Sequence, residues 1–115
     1  MAKPGRGLRP QGEEKIWADL ARRLSAFAFD VPLDEMLAAT RRHAPVAFAR
    51  QVAMYLSHVA GGMSLTEVGT AFGRDRTTAS HACHIVEDRR DDPRLDSLIA
   101  NLENALRAAG QLRVS

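Results

Sequence analysis

A run of short polar and basic side chains in the middle of the chain has the residue types that read DNA bases. After Gly73, the sequence RDRTTASHACHI places apolar residues at helical spacing and leaves a polar face opposite them. That polar face consists of Arg76, Thr77, Ser80, His81 and His84. Short side chains let a helix end enter the major groove, where Arg pairs with guanine and a Thr methyl contacts thymine. The pattern is typical of a DNA-reading helix, although adjacent amphipathic helices also occur in purely structural bundles.

The sequence gives little support for a metal site or a catalytic site. His81, Cys83 and His84 carry zinc-ligand groups, but Cys83 falls on the apolar stripe and no second ligand pair follows at a closing spacing. The sequence has no GxxxxGK[ST] phosphate loop, and Asp91-Asp92 fits a solvated helix end better than a catalytic pair. We therefore expect no metal, no cofactor, no nucleotide and no enzymatic activity.

The charge distribution points to the same central segment. Residues 1–12 carry +3, residues 13–40 carry −3, residues 41–90 carry +3 and residues 91–115 carry −1. All four histidines also lie in the central segment. A polyanion-binding site is therefore expected between residues 41 and 90.

Length and composition indicate one ordinary domain. The chain has 115 residues, 45% of them hydrophobic and 26% charged, and its one cysteine cannot form an internal disulfide framework. We expect a mobile basic tail over residues 1–12 and a single domain over residues 13–110. No segment has the composition of a leader or a membrane span, so a cytoplasmic, nucleoid-associated protein is predicted.

The elements that must position the polar face are predicted to be about six helices, which makes an all-α fold. They are expected over Glu13–Ala28, from Pro32 to near Arg41, from Pro45 to about Val59, from Ser64 to Gly73, over residues 76–90, and from Pro93 onward. The stripes expected to face inward are Ile16, Trp17, Leu20, Leu24 and Phe27; Val46, Ala49, Val52, Ala53, Leu56 and Val59; and Ala79, Ala82, Cys83 and Val86. The sixth helix repeats Leu95, Leu98, Ile99, Leu102 and Leu106, a spacing that suits the core or a partner helix.

Local signals are strongest around a predicted helix-turn-helix. Ser64 followed by Glu67 predicts a capping box at the start of the fourth helix, and Gly73 predicts its end. Asp75 or Thr77 can cap the fifth helix. A short capped helix, a glycine turn and a longer helix with a polar outer face form the helix-turn-helix unit.

The segment from Ala49 to Ile85 resembles the C-terminal DNA-binding domain of the bacterial replication initiator DnaA. The resemblance rests on ARQ followed by AMYLS, on the SLTEVG helix, on the AFG turn and on the run from RDRTT to HAC. A looser similarity extends from about residue 13 to residue 106. It implies an all-helical fold with a central helix-turn-helix that binds double-stranded DNA.

The resemblance also assigns roles to individual positions. It implies that Arg42, with Arg41 beside it, enters the minor groove, and that Arg50 and Gln51 engage a base edge and the backbone. It implies base reading by Asp75, Arg76 and Thr77, and phosphate contacts by Thr78, His81 and the main chain of Leu65. The full set of expected DNA-binding residues is Arg41, Arg42, Arg50, Gln51, His58, Leu65, Arg74, Asp75, Arg76, Thr77, Thr78, Ser80 and His81.

Departures from the family pattern predict altered binding. Arg76 stands in place of the signature histidine, so a sequence preference related to the DnaA box but different from it is expected. His58 replaces a phosphate-contacting lysine, which predicts a weaker and more pH-sensitive grip on the backbone. The turn has one glycine, Gly73, where the family usually has two, which predicts a shifted entry angle for the recognition helix.

The resemblance implies two functions for such a domain. The first is a transcription regulator that acts at promoters, as an activator, together with a protein partner such as RNA polymerase or a co-activator. Stand-alone proteins similar to this domain occur among bacterial regulators, including the DNA-binding half of gene transfer agent activators. The alternative is a replication accessory that occupies DnaA-box-like origin sites and competes with the initiator. A third possibility is a helix-turn-helix protein that has lost DNA binding and uses the Leu95 to Leu106 stripe on another protein.

Overall fold

The backbone of the protein forms six helices in series. The computed structural model describes residues 13–38 and 44–112, and over this part of the chain there is no strand. The helices are α1 (Glu13–Phe29), α2 (Leu33–Leu37), α3 (Ala44–Val59), α4 (Leu65–Ala71), α5 (Arg76–Arg89) and α6 (Pro93–Gly110). The all-α prediction is confirmed. The basic tail predicted for residues 1–12 lies outside the described residues.

Helix α1 packs on the rest of the protein through small side chains. Its buried residues are Ala18, Ala21, Ser25 and Ala26. Trp17, Leu20 and Leu24 pack beside this stripe and are half-buried. The prediction that Ile16 and Phe27 are buried was wrong, because they are 44% and 88% exposed. Small residues allow α1 and α3 to approach closely, and this turns the outer edge of the apolar stripe toward solvent.

Trp17 lies at the contact between α1 and α6. Its indole occupies the space in which a side chain at Gly110 would have to sit. The indole Nε1 donates a hydrogen bond to Glu13 Oε1 within α1, at 3.3 Å. The absence of a side chain at Gly110 therefore lets the last turn of α6 dock on α1.

Helix α3 runs through the middle of the protein and is buried over most of its length. Its inward residues Val46, Val52 and Leu56 are at most 1% exposed, as predicted. Val59 was predicted to face inward but is 39% exposed, because it occupies the last turn of the helix. The helix begins at Ala44, one residue earlier than predicted.

Helix α2 is a short element that precedes α3. It begins after Pro32, as predicted, but ends at Leu37 rather than near Arg41. The cause is Ala38, whose extended backbone (φ −65°, ψ 139°) stops the helical hydrogen-bond pattern. Leu37 is 56% exposed, so Met36 is the main residue that anchors α2 to the core.

Two apolar clusters flank α3. The larger one joins α1, α2, α3, α5 and α6. The smaller one lies behind α4 and the start of α5, and its buried members are Ala18, Met54, Met63, Val68, Ala79 and Ala82. The helix-turn-helix therefore rests on its own small core.

Helix α6 closes the larger cluster. Asp92 caps it by accepting a hydrogen bond from the backbone N–H of Arg94 at 3.0 Å, and Pro93 is its first residue. Ile99, Leu102 and Leu106 are buried, and Leu95 and Leu98 pack against the same cluster. Of the two interpretations of this stripe, the core interpretation is confirmed.

A hydrogen-bonded group of polar side chains joins α3, α5 and α6. Arg90 Nη1 donates to Tyr55 Oη at 3.0 Å and to Glu103 Oε2 at 2.9 Å, while Arg90 Nε donates to Asp96 Oδ1 at 2.5 Å. Tyr55 in turn donates to Glu87 Oε2 at 3.1 Å. Burial alone would lower the pKa of Arg90, but these hydrogen bonds outweigh it and raise that pKa. The guanidinium therefore fixes the C-terminal end of α5 relative to α6.

Removal of the hydroxyl group is expected to have opposite effects on stability at two buried serines. Ser25 and Ser57 are both fully buried, but Ser57 Oγ donates to the Ala53 carbonyl at 2.9 Å whereas Ser25 Oγ has no hydrogen-bond partner. Removing an unsatisfied buried hydroxyl should be favourable, so we expect Ser25→Ala to stabilise the fold by about 1 kcal/mol and to raise the melting temperature by about 4 °C.

Ser57→Ala is the matched control, since it removes a satisfied hydroxyl of the same size. It should lower the free energy of unfolding by about 1 kcal/mol. Thermal unfolding followed by circular dichroism measures both changes. Equal shifts of the same sign in the two variants would contradict the assignment.

Candidate nucleic-acid interface

Helix α4 starts with the predicted capping box. The backbone N–H of Glu67 donates to Ser64 Oγ at 3.1 Å, and the backbone N–H of Ser64 donates to Glu67 Oε1 at 2.9 Å. This reciprocal pair fixes where α4 begins. Leu65 is the first helical residue, so its backbone N–H has no carbonyl acceptor within the helix and is oriented to donate to another partner.

The turn after α4 is a Schellman motif. The Arg74 N–H donates to the Gly69 carbonyl at 2.7 Å, and the Gly73 N–H donates to the Thr70 carbonyl at 3.2 Å. Gly73 has a φ of 68°, which side chains with a Cβ rarely adopt. One glycine is therefore sufficient for this turn, and the shifted entry angle of α5 stays a prediction.

Gly69 lets the turn approach α4 closely. A Cβ at this position would lie 2.8 Å from the Arg74 carbonyl oxygen and 2.9 Å from the carbonyl carbon of Asp75. These are backbone atoms, so no side-chain rotation could make room. Gly69 thus sets the distance between α4 and the residue that starts α5.

Asp75 caps α5, which decides between the two predicted caps. Its Oδ1 accepts a hydrogen bond from the Thr78 N–H at 2.8 Å. This hydrogen bond holds the pKa of the Asp75 carboxyl below its ordinary value. The carboxylate is therefore ionised at neutral pH, and the cap is lost only when the pH falls through that lowered pKa.

The first turn of α5 projects into solvent. The run from Gly73 to Thr78 is exposed throughout, and His81 one turn later is also exposed. Ala79 and Ala82 are buried beneath them, and Ser80 is half-buried at the margin. The predicted residues that form one exposed surface are Arg74, Asp75, Arg76, Thr77, Thr78 and His81.

Other predicted site residues occupy different environments. Arg50 is only 8% exposed, and its Nη2 donates to the Glu35 carbonyl at 2.9 Å, which ties α3 to α2. Gln51, next to it, is half-buried. Arg41, Arg42 and the neighbouring His43 lie outside the described residues.

His58 is held by the loop that precedes α4. It is half-buried, and its Nδ1 lies 2.7 Å from the Met63 carbonyl oxygen. A carbonyl oxygen only accepts, so Nδ1 carries the proton in this contact, and Nε2 is left for another partner.

Cys83 lies on the inner side of α5. It is half-buried against the larger cluster, so its predicted place in the core is confirmed in part. Burial, and the nearby Glu87 carboxylate, raise the pKa of the thiol to about 11.

Within residues 13–38 and 44–112, no group of three or more His, Cys, Asp or Glu side chains is arranged to hold a metal ion. In the same residues no helix is long and apolar enough to cross a membrane.

Sequence reasoning missed two residues that shape this surface. Gly69 carried a usable signal, because an isolated glycine inside a helical pattern often marks a close backbone approach. Arg22 carried none. Its Nη2 donates to the Ala71 carbonyl at 2.6 Å, a contact between residues that are 49 positions apart in the chain.

Comparisons with known proteins agree with this geometry. Residues 23–86 match the family described as the bacterial dnaA protein helix-turn-helix. The chain is 32% identical over 97 residues to the chromosomal replication initiator protein DnaA of Treponema denticola, and 38% identical over 98 residues to that of Laribacter hongkongensis. These alignments cover 83% and 84% of this chain and 20% of each relative, so the chain spans about a fifth of their length.

A solved structure gives the same result for the fold. The crystal structure of a DNA replication initiation factor superposes with a TM-score of 0.74 at 28% sequence identity. The match covers 84% of this chain and 30% of the other. The family match spans the capping box, the Schellman turn and the exposed start of α5, and the chain belongs to the family of bacterial DnaA helix-turn-helix domains.

Proposed function

We propose that the protein binds double-stranded DNA in a sequence-specific manner, with the first turn of α5 in the major groove. The observation that carries this proposal is the exposed run from Arg74 to Thr78, which the Schellman turn and the Asp75 cap hold in one conformation. Arg76 and Thr77 would contact base edges there, since an Arg fork matches guanine and a Thr methyl matches thymine. Asp75 would accept from a cytosine amino group.

Phosphate contacts would come from residues around this turn. The amide of Leu65 at the start of α4, the hydroxyls of Thr78 and Ser80, and the His81 ring supply donors on both sides of the turn. From α3, Arg50 and Gln51 would engage a base edge and the backbone of the DNA, and Arg50 also ties α3 to α2. Arg42, with Arg41 beside it, is proposed to enter the minor groove. His58 would donate to a phosphate through Nε2, which requires a proton on that nitrogen.

The biological role that we propose is transcription regulation, with the protein acting as an activator at promoters. Arg76 supports it, because a guanine-pairing side chain in place of the family's histidine changes the preferred site away from the DnaA box. A protein with altered preference would occupy sites other than the origin boxes. One small domain neutralises few phosphates, so a protein partner such as RNA polymerase or a co-activator would supply additional affinity.

A replication accessory is the second candidate. It is favoured by the names of the two relatives given above, which are chromosomal replication initiator proteins. In this role the protein would occupy DnaA-box-like origin sites and compete with the initiator. Mapping the sites that tagged protein occupies in the genome separates the two roles, since promoter peaks support the first and origin clusters the second.

Arg76→Ala is expected to weaken binding to the selected site by about 10- to 100-fold and to relax the base preference at one position. The reason is the loss of a bidentate base contact without loss of the fold, because Arg76 is exposed and its side chain makes no hydrogen bond or ion pair within residues 13–38 and 44–112. Site selection from random DNA, followed by fluorescence anisotropy, measures both effects.

Arg107→Ala is the matched control. Arg107 is an exposed arginine in the last turn of α6, and its removal changes the net charge by the same amount. It should alter affinity by less than about twofold. Equal losses in the two variants would show that only overall charge matters and would contradict base reading by Arg76. Selection of the unaltered DnaA box would contradict the altered preference.

A further inference from the structure

Helix α4 has one C-terminal carbonyl that neither its own helical hydrogen bonds nor the Schellman turn satisfies. The last helical bond, from Phe72 to Val68 at 3.0 Å, satisfies one of the others, and the turn satisfies two more, since Arg74 donates to Gly69 and Gly73 to Thr70. The remaining one, on Ala71, accepts the hydrogen bond from Arg22 Nη2. A side chain from α1 thus completes the hydrogen bonding at this helix end.

The same guanidinium also stacks on the next residue. Arg22 Cζ lies 4.3 Å from the centre of the Phe72 ring, and Phe72 is the C-cap of α4. A guanidinium over an aromatic face is attractive, and a cation at a helix C-terminus interacts favourably with the helix dipole. Arg22 therefore holds the two residues that immediately precede the turn.

The surroundings make this contact important for the turn. Two open cavities of about 300 Å³ and 550 Å³ lie beside it, and Arg22 lines both. The first is also lined by Phe72, Gly73 and Arg74, so one side of the turn faces open space rather than packed side chains. Burial lowers the pKa of Arg22 while Asp19 opposes the shift, so a partly desolvated cation is retained at this place.

We propose that Arg22 is a positioning residue for DNA recognition, which fixes the angle at which the turn presents Arg74 to Thr78. The proposal rests on the proposed function. Arg22 lies one residue before the segment that matches the family, so this side chain would act on the recognition helix from just outside that segment. Base reading needs side chains held to within a fraction of an ångström, whereas phosphate attraction tolerates displacement.

The test compares Arg22→Met with Arg23→Met. Arg23 is the neighbouring residue on α1, and its side chain is 59% exposed and pairs only with Asp19 in the described structure. We expect Arg22→Met to reduce the ratio of specific to non-specific DNA affinity by about tenfold, the equivalent of one base contact, with an unchanged salt slope. Arg23→Met should leave that ratio within about twofold of the original protein.

A second readout does not depend on DNA. In the free protein the amide of Arg74, which donates to Gly69, should exchange hydrogen about tenfold faster in Arg22→Met while amides of α3 are unchanged. Arg22→Lys retains the charge and a donor but loses the planar stacking group, so it should give an intermediate effect on both readouts. If Arg22→Met does not fold, Arg22→Lys decides the question on both readouts.

Three results would overturn the proposal. The first is that Arg22→Met, or Arg22→Lys in its place, matches Arg23→Met in both the affinity ratio and the exchange rate. The second is that, in Arg22→Met, the slope of log affinity against log salt concentration becomes shallower by about one for specific and for non-specific DNA. That result would indicate a direct contact between Arg22 and a phosphate. The third is faster exchange at α3 and at Arg74 to the same extent, which indicates general destabilisation. If the unaltered protein binds no specific site, the proposed function fails, and the amide exchange still tests Arg22.

Discussion

Gly69→Ala is expected to destabilise the protein by about 3 kcal/mol and to abolish specific DNA binding. Alanine is a better helix former than glycine by about 1 kcal/mol, so propensity alone predicts the opposite sign. The new Cβ would lie under 3 Å from backbone atoms of Arg74 and Asp75, however, so α4 and the start of α5 would have to separate. Overpacking against the backbone costs more than the gain in helix propensity. The separation would also displace Arg76 and Thr77, the proposed base-contacting residues.

Urea denaturation measures the stability change, and the same protein is assayed for specific and non-specific DNA affinity. Thr70→Ala is the control, because Thr70 is the next residue in α4 and is exposed. It should change the free energy of unfolding by less than about 0.5 kcal/mol. A Gly69→Ala protein with the stability of the original would mean that the turn does not need this close approach.

Arg90→Met is expected to lower the free energy of unfolding by about 3 kcal/mol. The Glu103 side chain is 11% exposed, and its carboxylate accepts a hydrogen bond from Arg90. Without Arg90 that carboxylate would remain in a nearly dry site beside an apolar side chain. Removal of one partner of a buried ion pair typically costs about 3 kcal/mol, because the other charge is left buried and unpaired. Asp96 is half-exposed and would recover water, so it adds little to the loss.

A double-mutant comparison isolates the cause. Glu103→Gln in the Arg90→Met background removes the stranded charge, so it should recover about half of the lost stability. Chemical denaturation of the original, the two single variants and the double variant measures the coupling. An additive result, in which Glu103→Gln costs the same in both backgrounds, would contradict a direct interaction.

Signals that act within a few residues allowed accurate prediction of the helix-turn-helix. The Ser64 and Glu67 pair, the glycine at position 73 and the acidic cap at Asp75 each decide a backbone conformation through atoms at most five residues away. Such interactions can be recognised from the types of a few neighbouring residues. The capping box and the glycine turn were therefore predicted at the residues where the structure has them, and one of the two predicted caps of α5 is the observed one.

Burial and long-range contacts could not be predicted in the same way. The periodicity of α1 shows that Leu20, Leu24 and Phe27 share an edge, but not that neighbouring helices leave Phe27 in solvent. Arg50 was interpreted through a resemblance as a DNA contact, and nothing local indicates that it reaches the Glu35 carbonyl. A side chain's partner across the fold depends on how helices dock, which a single sequence does not state.

The contact between Trp17 and Gly110 has an optical consequence. The chain has a single tryptophan, and its indole is held where the last turn of α6 meets α1. If α6 leaves this position, the indole gains water and its emission moves to longer wavelength. The fluorescence of the unlabelled protein therefore reports the docking of one helix, and a helix that undocks before the whole fold melts would be visible as an early spectral change.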